Sequence, residues 1–148
     1  MKEFLENRDV LLVDDEDQIR LFMRRMLTRL CPLVEIREAG DGLAAIEQLR
    51  IAVPDVVVLD LDMPRMGGRD VLKHMRETPG LEHVPVLVLT GGAPPGSEVE
   101  LISIGATDFT NKPVDRSVLL ARLSSMLRVQ AHVRSLEERI RKLEETAQ

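Results

Sequence analysis

The apolar positions of the chain fall into two kinds of pattern. Short solid runs are the first kind: Val10-Leu11-Leu12-Val13, Val56-Val57-Val58-Leu59 and Val86-Leu87-Val88-Leu89. Runs of this length, rich in β-branched residues, predict strands buried on both faces, as in parallel sheets. Between them, apolar residues recur at helical spacing. Ile19, Phe22, Met23, Met26, Leu27 and Leu30 predict an amphipathic helix stopped near Pro32. Ile46 and Leu49 predict a second helix, and Val71, Leu72 and Met75 a third that breaks near Pro79-Gly80. Leu33 to Arg37 alternates apolar and polar and reads as an edge strand, after which Ala39-Gly40-Asp41-Gly42 turns the chain into the second helix. Ser97 and Glu100 have the spacing of a capping box, so a short fourth helix is expected from Ser97 to near Gly105. Thr107 to Asn111 predicts a short fifth strand, and Asp115 an N-cap for a last helix that meets no Pro or Gly up to Gln148. Alternation of strand and helix on this scale makes an α/β fold, a five-stranded doubly wound parallel sheet with helices on both faces.

The last helix is longer than such a domain needs. Leu120, Leu123 and Leu127 are expected to pack on the sheet, but Met126, Val129, Val133, Leu136, Ile140, Leu143 and Ala147 then repeat with alternating spacings of three and four. That is a heptad seam, with Met126, Val133, Ile140 and Ala147 at a and Val129, Leu136 and Leu143 at d. β-Branched residues at a with Leu at d favour a parallel two-stranded coil. The flanks agree: across a parallel pair His132 meets Glu137 and Arg139 meets Glu144, whereas antiparallel pairing brings glutamates together. The blander reading is a single solvated amphipathic helix, or one folded back on its own domain. The expected organisation is a domain over residues 8–124 and a helical coiled-coil extension or linker over 125–148, with a parallel homodimer formed through 126–147. At about three heptads the coil should be only marginally stable in isolation.

Size and composition narrow the class. A chain of 148 residues, 44% apolar and 30% charged, suits one globular domain with an appendage. A net charge of -5 gives no electrostatic case for direct nucleic-acid binding. The one cysteine, Cys31, excludes an internal disulfide and a zinc cluster, as suits a reducing compartment. No apolar run approaches the ~20 residues of a membrane span, and Met1 to Asp9 lacks the core of a signal peptide. A soluble cytoplasmic protein is therefore expected. His74, His83 and His132 show no ligand spacing and are expected at the surface.

Chemistry enters at the strand ends. In open α/β sheets ligands bind at the carboxyl ends of strands, and four of the predicted strands end in Asp14-Asp15, Asp60, Thr90 and Lys112. Three carboxylates, a hydroxyl and an ammonium would converge there. Clustered carboxylates repel unless a cation neutralises them, and an oxygen-only set with an open side favours Mg²⁺. A carboxylate can also attack phosphorus and form an aspartyl phosphate, with a metal, Lys112 and Thr90 steadying the phosphoryl oxygens. Each residue also has a plainer reading. Asp14 and Asp15 could cap a helix, Thr90 and Lys112 could be an ordinary hydroxyl and a solvated charge, and Phe109 could be core.

Taken in order, Val13-Asp14-Asp15-Glu16, Ala39-Gly40-Asp41-Gly42, Asp60-Leu61-Asp62-Met63-Pro64-Arg65-Met66-Gly67-Gly68, Leu89-Thr90-Gly91, Gly105-Ala106-Thr107-Asp108-Phe109 and Lys112-Pro113 resemble the receiver domain of two-component response regulators. The resemblance covers the whole α/β part and implies a flavodoxin-like sheet of order 2-1-3-4-5. It implies that Asp60 accepts phosphate from a phosphohistidine of a sensor histidine kinase or phosphotransfer protein. It implies further that Asp14, Asp15, Asp60 and the backbone carbonyl of Asp62 hold Mg²⁺, that Thr90 and Lys112 bind the phosphoryl group, and that Thr90 and Phe109 form the switch. A cis Lys112-Pro113 bond also belongs to the family, and proline makes such a bond accessible. The chain departs from the family in Thr110, where an apolar residue is usual, in Pro94-Pro95, which stiffens the loop before the fourth helix, and in the extra carboxyl of Asp62.

A different class is a haloacid-dehalogenase-type phosphatase, with Asp60 as nucleophile and Asp62 as general acid/base. That class carries its Asp-x-Asp on an early strand and usually adds a cap, whereas here the motif is on the third strand with no room for one. A structural module with a degenerate site is disfavoured because no matched site position is missing. No DNA-reading helix pair or second α/β pattern follows, and the continuous last helix resembles linkers that join receivers to cyclase, kinase or phosphatase outputs.

Overall fold

A computed structural model of the chain describes residues 4–92 and 96–147. Its strands are β1 (Asp9–Val13), β2 (Glu35–Ala39), β3 (Val56–Asp60), β4 (Val86–Thr90) and β5 (Asp108–Asn111). The helices are α1 (Asp17–Leu30), α2 (Gly42–Ile51), α3 (Gly68–Glu77), α4 (Ser97–Ser103) and α5 (Arg116–Thr146). All neighbouring strands pair in parallel, in the order β2-β1-β3-β4-β5. The solid apolar runs are solid because each face has its own helical cover. Val10, Leu12, Val56, Val58, Leu87 and Leu89 pack with Met23, Leu27, Leu119 and Leu123 from α1 and α5. Leu11, Val13, Val57, Leu59, Val86 and Val88 pack with Ile46, Leu49, Val71, Met75 and Leu101 from the helices opposite. Cys31 is a buried free thiol in the first of these cores.

Three expectations shift. The edge strand β2 runs Glu35–Ala39 rather than from Leu33, because Arg8 O and Asp9 of β1 set its register and Leu33 is left exposed. β5 starts at Asp108, since Thr107 uses its hydroxyl to accept Val86 N–H and closes the sheet from outside. α4 begins at Ser97, but its N-cap position is Gly96, in the left-handed region, and the Glu100 carboxylate pairs with Arg69 instead of closing a capping box. Pro94 and Pro95 lie outside the described residues.

Asp115 caps α5 as expected, accepting Val118 N–H at 3.0 Å. Met126, assigned to the seam, is instead buried with Leu127 in the α1–α5 core, so the exposed stripe starts at Val129. Contact with the α/β body continues past residue 124. Gln130 Nε2 donates to Asp55 O at 3.0 Å, and Arg134 meets the Asp55 carboxylate at 3.2 Å. Beyond that point α5 projects alone, with Leu136, Ile140 and Leu143 exposed. Among the described residues no helix is long and apolar enough to cross a membrane.

Candidate phosphoryl site at the strand ends

The sheet delivers the predicted residues to one end because its parallel register brings the ends of β1, β3, β4 and β5 within two residues of one another. Asp14 follows β1, Asp60 ends β3, Thr90 ends β4 and Lys112 follows β5. Asp14, Asp60 and Thr90 are buried. Lys112 Nζ lies 3.0 Å from Asp14 Oδ2 and 3.2 Å from Asp60 Oδ2, so one ammonium bridges two carboxylates. Those two inner oxygens are fully shielded from solvent, and among the described residues the shared Lys112 ammonium is the donor they face. Their outer oxygens are satisfied locally: Asp14 Oδ1 accepts Glu16 N–H at 2.9 Å, and Asp60 Oδ1 accepts Asp62 N–H at 3.3 Å.

The electrostatics follow from this crowding. Burial, and then the Asp14 charge, push the Asp60 carboxyl up from its ordinary 3.8 to about 6, although Lys112 and the Asp62 N–H pull the other way. Burial depresses the Lys112 ammonium, but Asp14 and Asp60 together outweigh it and hold it above its ordinary value. The site therefore has an excess of buried negative charge that a single lysine does not relieve. Asp15 supplies a third, exposed carboxylate, and one oxygen each from Asp14, Asp15 and Asp60 fall within 4.8 Å of one another. Shielded carboxylate oxygens that share one ammonium, beside an open acidic side, fit a hard divalent cation such as Mg²⁺, which takes one or two carboxylates and keeps waters.

The plainer readings can now be weighed. Neither Asp14 nor Asp15 occupies the cap of α1, which is Glu16 with its side chain unengaged there. Lys112 is not a solvated charge. Phe109 is partly buried against the core on the α3–α4 side, so its packing is real, and Thr110 beside it is buried despite its hydroxyl. The Asp62 side chain is exposed. The Lys112–Pro113 peptide is cis.

Other contributors had been given no role at the site beforehand. Glu16 adds a carboxylate 3.7 Å from Lys112 Nζ, and Thr90 Oγ1 donates to Asn111 Oδ1 at 2.8 Å. Gly68 lets the start of α3 sit against the end of β3: a Cβ there would stand 2.3 Å from Asp60 O and 2.8 Å from Leu61 Cα. Gly42 likewise lies under Met66, where a Cβ would meet the Met66 carbonyl at 2.2 Å. Glu16 stood in the Val13-Asp14-Asp15-Glu16 motif without a role of its own, and Asn111 had no signal beyond its adjacency to Lys112.

With this geometry in view, comparison with known proteins is decisive. The model of the response regulator receiver domain matches residues 10–124. The chain belongs to that family. The receiver is 37% identical over 119 residues to response regulator MprA of Mycobacterium ulcerans, covering 80% of this chain and 50% of that protein. It is 30% identical over 131 residues to hybrid signal transduction histidine kinase D of Dictyostelium discoideum, covering 88% of this chain and 8% of that one. The chain thus spans half or less of either relative. Among solved structures, the chemotaxis response regulator CheY4 of Vibrio cholerae superposes with a TM-score of 0.74 at 31% identity, over 80% of this chain and 98% of that one. The receiver has the flavodoxin-like strand order expected of it. The match supports no phosphatase of the haloacid-dehalogenase type.

Proposed function

We propose that this receiver accepts a phosphoryl group on Asp60 from the phosphohistidine of a sensor histidine kinase or phosphotransfer protein, in a Mg²⁺-dependent reaction. The observation that carries the reading is the shielded, donor-poor Asp60 Oδ2 at the end of β3, facing Lys112 and flanked by Asp14. In the transfer, a carboxylate oxygen of Asp60 forms the new bond to phosphorus. The phosphorus–nitrogen bond breaks, and its electron pair returns to the histidine ring. Lys112 then neutralises phosphoryl charge, and the Thr90 hydroxyl turns to donate to a phosphoryl oxygen. Asp14, Asp15, Asp60 and the Asp62 carbonyl would hold Mg²⁺, which when bound supplies further charge neutralisation at the phosphoryl oxygens. The chain acts as a phosphoacceptor that assists its own phosphorylation and dephosphorylation, not as a turnover enzyme. Thr90 and Phe109 carry the change outward as the switch. A net charge of -5 supports a role without direct nucleic-acid contact, and a lone buried thiol supports a cytoplasmic setting.

The test is intact-mass analysis after treatment with phosphoramidate and Mg²⁺. The wild-type chain should gain one phosphoryl mass, and Asp60→Asn should gain none. An undiminished adduct in that variant overturns the assignment.

We infer that the output is a parallel homodimer through the α5 extension, with phosphorylation altering how the two receivers pack instead of creating the coil. Val129, Val133, Leu136, Ile140 and Leu143 are 42–69% exposed in the single chain, which supports a partner along this stripe. Buried area does not convert directly to affinity, so the dimer should dissociate on dilution. Ile140→Lys puts like charges in the seam and should yield monomers with Asp60 chemistry intact. Sedimentation at several concentrations decides it. A wild-type monomer throughout refutes the coil, and a dimeric Ile140→Lys moves the interface elsewhere.

A further inference from the structure

Thr90 and Asn111 are direct register partners across β4 and β5, and Lys112 N–H donates to Thr90 O at 2.7 Å, which fixes the two strand ends together. The Thr90 side chain is buried at 2% exposure, while Asn111 is exposed. The Thr90 hydroxyl gives its one proton to Asn111 Oδ1 at 2.8 Å. A hydroxyl has a single proton, and a phosphoryl oxygen can only accept. The proton that Asn111 now holds is therefore the one that phosphoryl binding would require, and the two acceptors compete for it.

We propose that Asn111 is the positioning residue of the Thr90 switch, serving it in both states through its two-faced amide. In the unmodified chain Asn111 Oδ1 accepts from Thr90. In the phosphorylated chain the amide turns over, and Asn111 Nδ2–H donates to Thr90 Oγ1 while the Thr90 proton goes to the phosphoryl oxygen. Thr90 then exchanges partners without leaving a buried hydroxyl half-satisfied, a loss that would oppose the switch. This inference rests on the phosphoacceptor reading of Asp60.

An amide is needed because it is both donor and acceptor. Aspartate has the same shape but only accepts, so it holds the Thr90 proton in the unmodified state and has nothing to donate in the phosphorylated one. Alanine removes both bonds and leaves the balance between the states nearly unchanged.

The experiment uses the full chain and beryllofluoride with Mg²⁺ as the probe, its affinity read by titration of methyl resonances. Asn111→Asp should bind it more weakly than wild type by more than about tenfold, with about tenfold of that the worth of one hydrogen bond, while Asn111→Ala stays within about twofold. Some of the Asn111→Asp loss will be charge repulsion, which persists without the Thr90 hydroxyl. In the Thr90→Val background the Asn111→Asp step should therefore cost about tenfold less than in wild type, as a double-mutant cycle isolates the shared bond. An equal loss in both backgrounds overturns the proposal. A second readout does not depend on Asn111→Asp folding: the Asn111 side-chain amide protons should move downfield on beryllofluoride binding in wild type and stay in place in Thr90→Val. Unmoved protons in the wild type overturn the proposal as well. Failure of wild type to gain any phosphoryl mass at Asp60 would instead strike the parent reading, and this one with it.

Discussion

Asp55 and Asp60 bracket the same strand, one just before β3 and one at its end, and the protein treats the two carboxylates in opposite ways. Asp55 Oδ2 accepts Asp9 N–H at 2.8 Å, and Asp55 Oδ1 meets Arg134 at 3.2 Å and Arg8 at 3.7 Å. Its charge is answered by more donors than it has oxygens. Asp60 has one long backbone donor, and its inner oxygen must share one ammonium with Asp14. A satisfied carboxylate is inert and tethers what surrounds it, here the α5 extension to the base of β3. An under-satisfied one is a nucleophile or a ligand waiting for a partner. The strand thus has a structural end and a chemical end, separated by the buried run Val56 to Leu59.

The contrast breaks most visibly in stability. Folding raises the Asp60 carboxyl from its ordinary 3.8 to about 6, so between those values the folded chain holds more protons than the unfolded one. Its contribution is then best at low pH and is lost as pH rises through about 6. In chelator, Asp60→Asn should be more stable than wild type at pH 8 by about 2–3 kcal/mol, from a shift of roughly two units in a buried group. The advantage should shrink as pH falls from 6 and vanish near pH 3.5. Urea midpoints over that range test it. A variant less stable than wild type at pH 8 would mean that the carboxylate is anchored after all.

Asp55→Ala should act with the opposite sign. It deletes an acceptor for one backbone N–H and two arginines, and should cost about 1–2 kcal/mol. Its phosphoryl adduct should form as in wild type. The same midpoints and intact masses read both ends of the strand, and a loss of adduct in Asp55→Ala would erase the distinction between them.

How much of this was legible beforehand depends on where the deciding partner sits. Val56 to Asp60 and Val86 to Thr90 read correctly because strands buried on both faces write an unbroken apolar run whatever surrounds them. The edge strand slipped by two residues because its start is set by pairing with Arg8 and Asp9, not by its own alternation. The capping box at Ser97 failed for the same reason: Glu100 had a better partner in Arg69, 31 residues away in sequence. Met126 kept perfect heptad spacing and still went into the core, since α5 is one continuous helix that packs on the sheet before it projects. Site residues at strand ends were legible through topology alone. Asn111 was not, because its partnership with Thr90 exists only once β4 and β5 are in register.

The smallest expected effect falls on Asp15, the exposed member of the acidic trio. Unlike Asp14 it accepts no hydrogen bond from the described residues, and unlike Asp55 it meets no arginine there. Its removal takes nothing from the fold and slightly relieves the repulsion among neighbouring carboxylates. In chelator, Asp15→Asn should therefore melt within about 0.5 kcal/mol of wild type, as surface changes away from packed features do. Mg²⁺ is where the substitution should tell, because an anionic oxygen on the open side of the site becomes a neutral amide. Calorimetric titration should show weaker Mg²⁺ binding, with correspondingly less stabilisation of the fold at any given Mg²⁺ concentration. If Asp15→Asn instead melts far below wild type in chelator and binds Mg²⁺ unchanged, then Asp15 belongs with Asp55 as a structural carboxylate, and the open side of the site lies elsewhere.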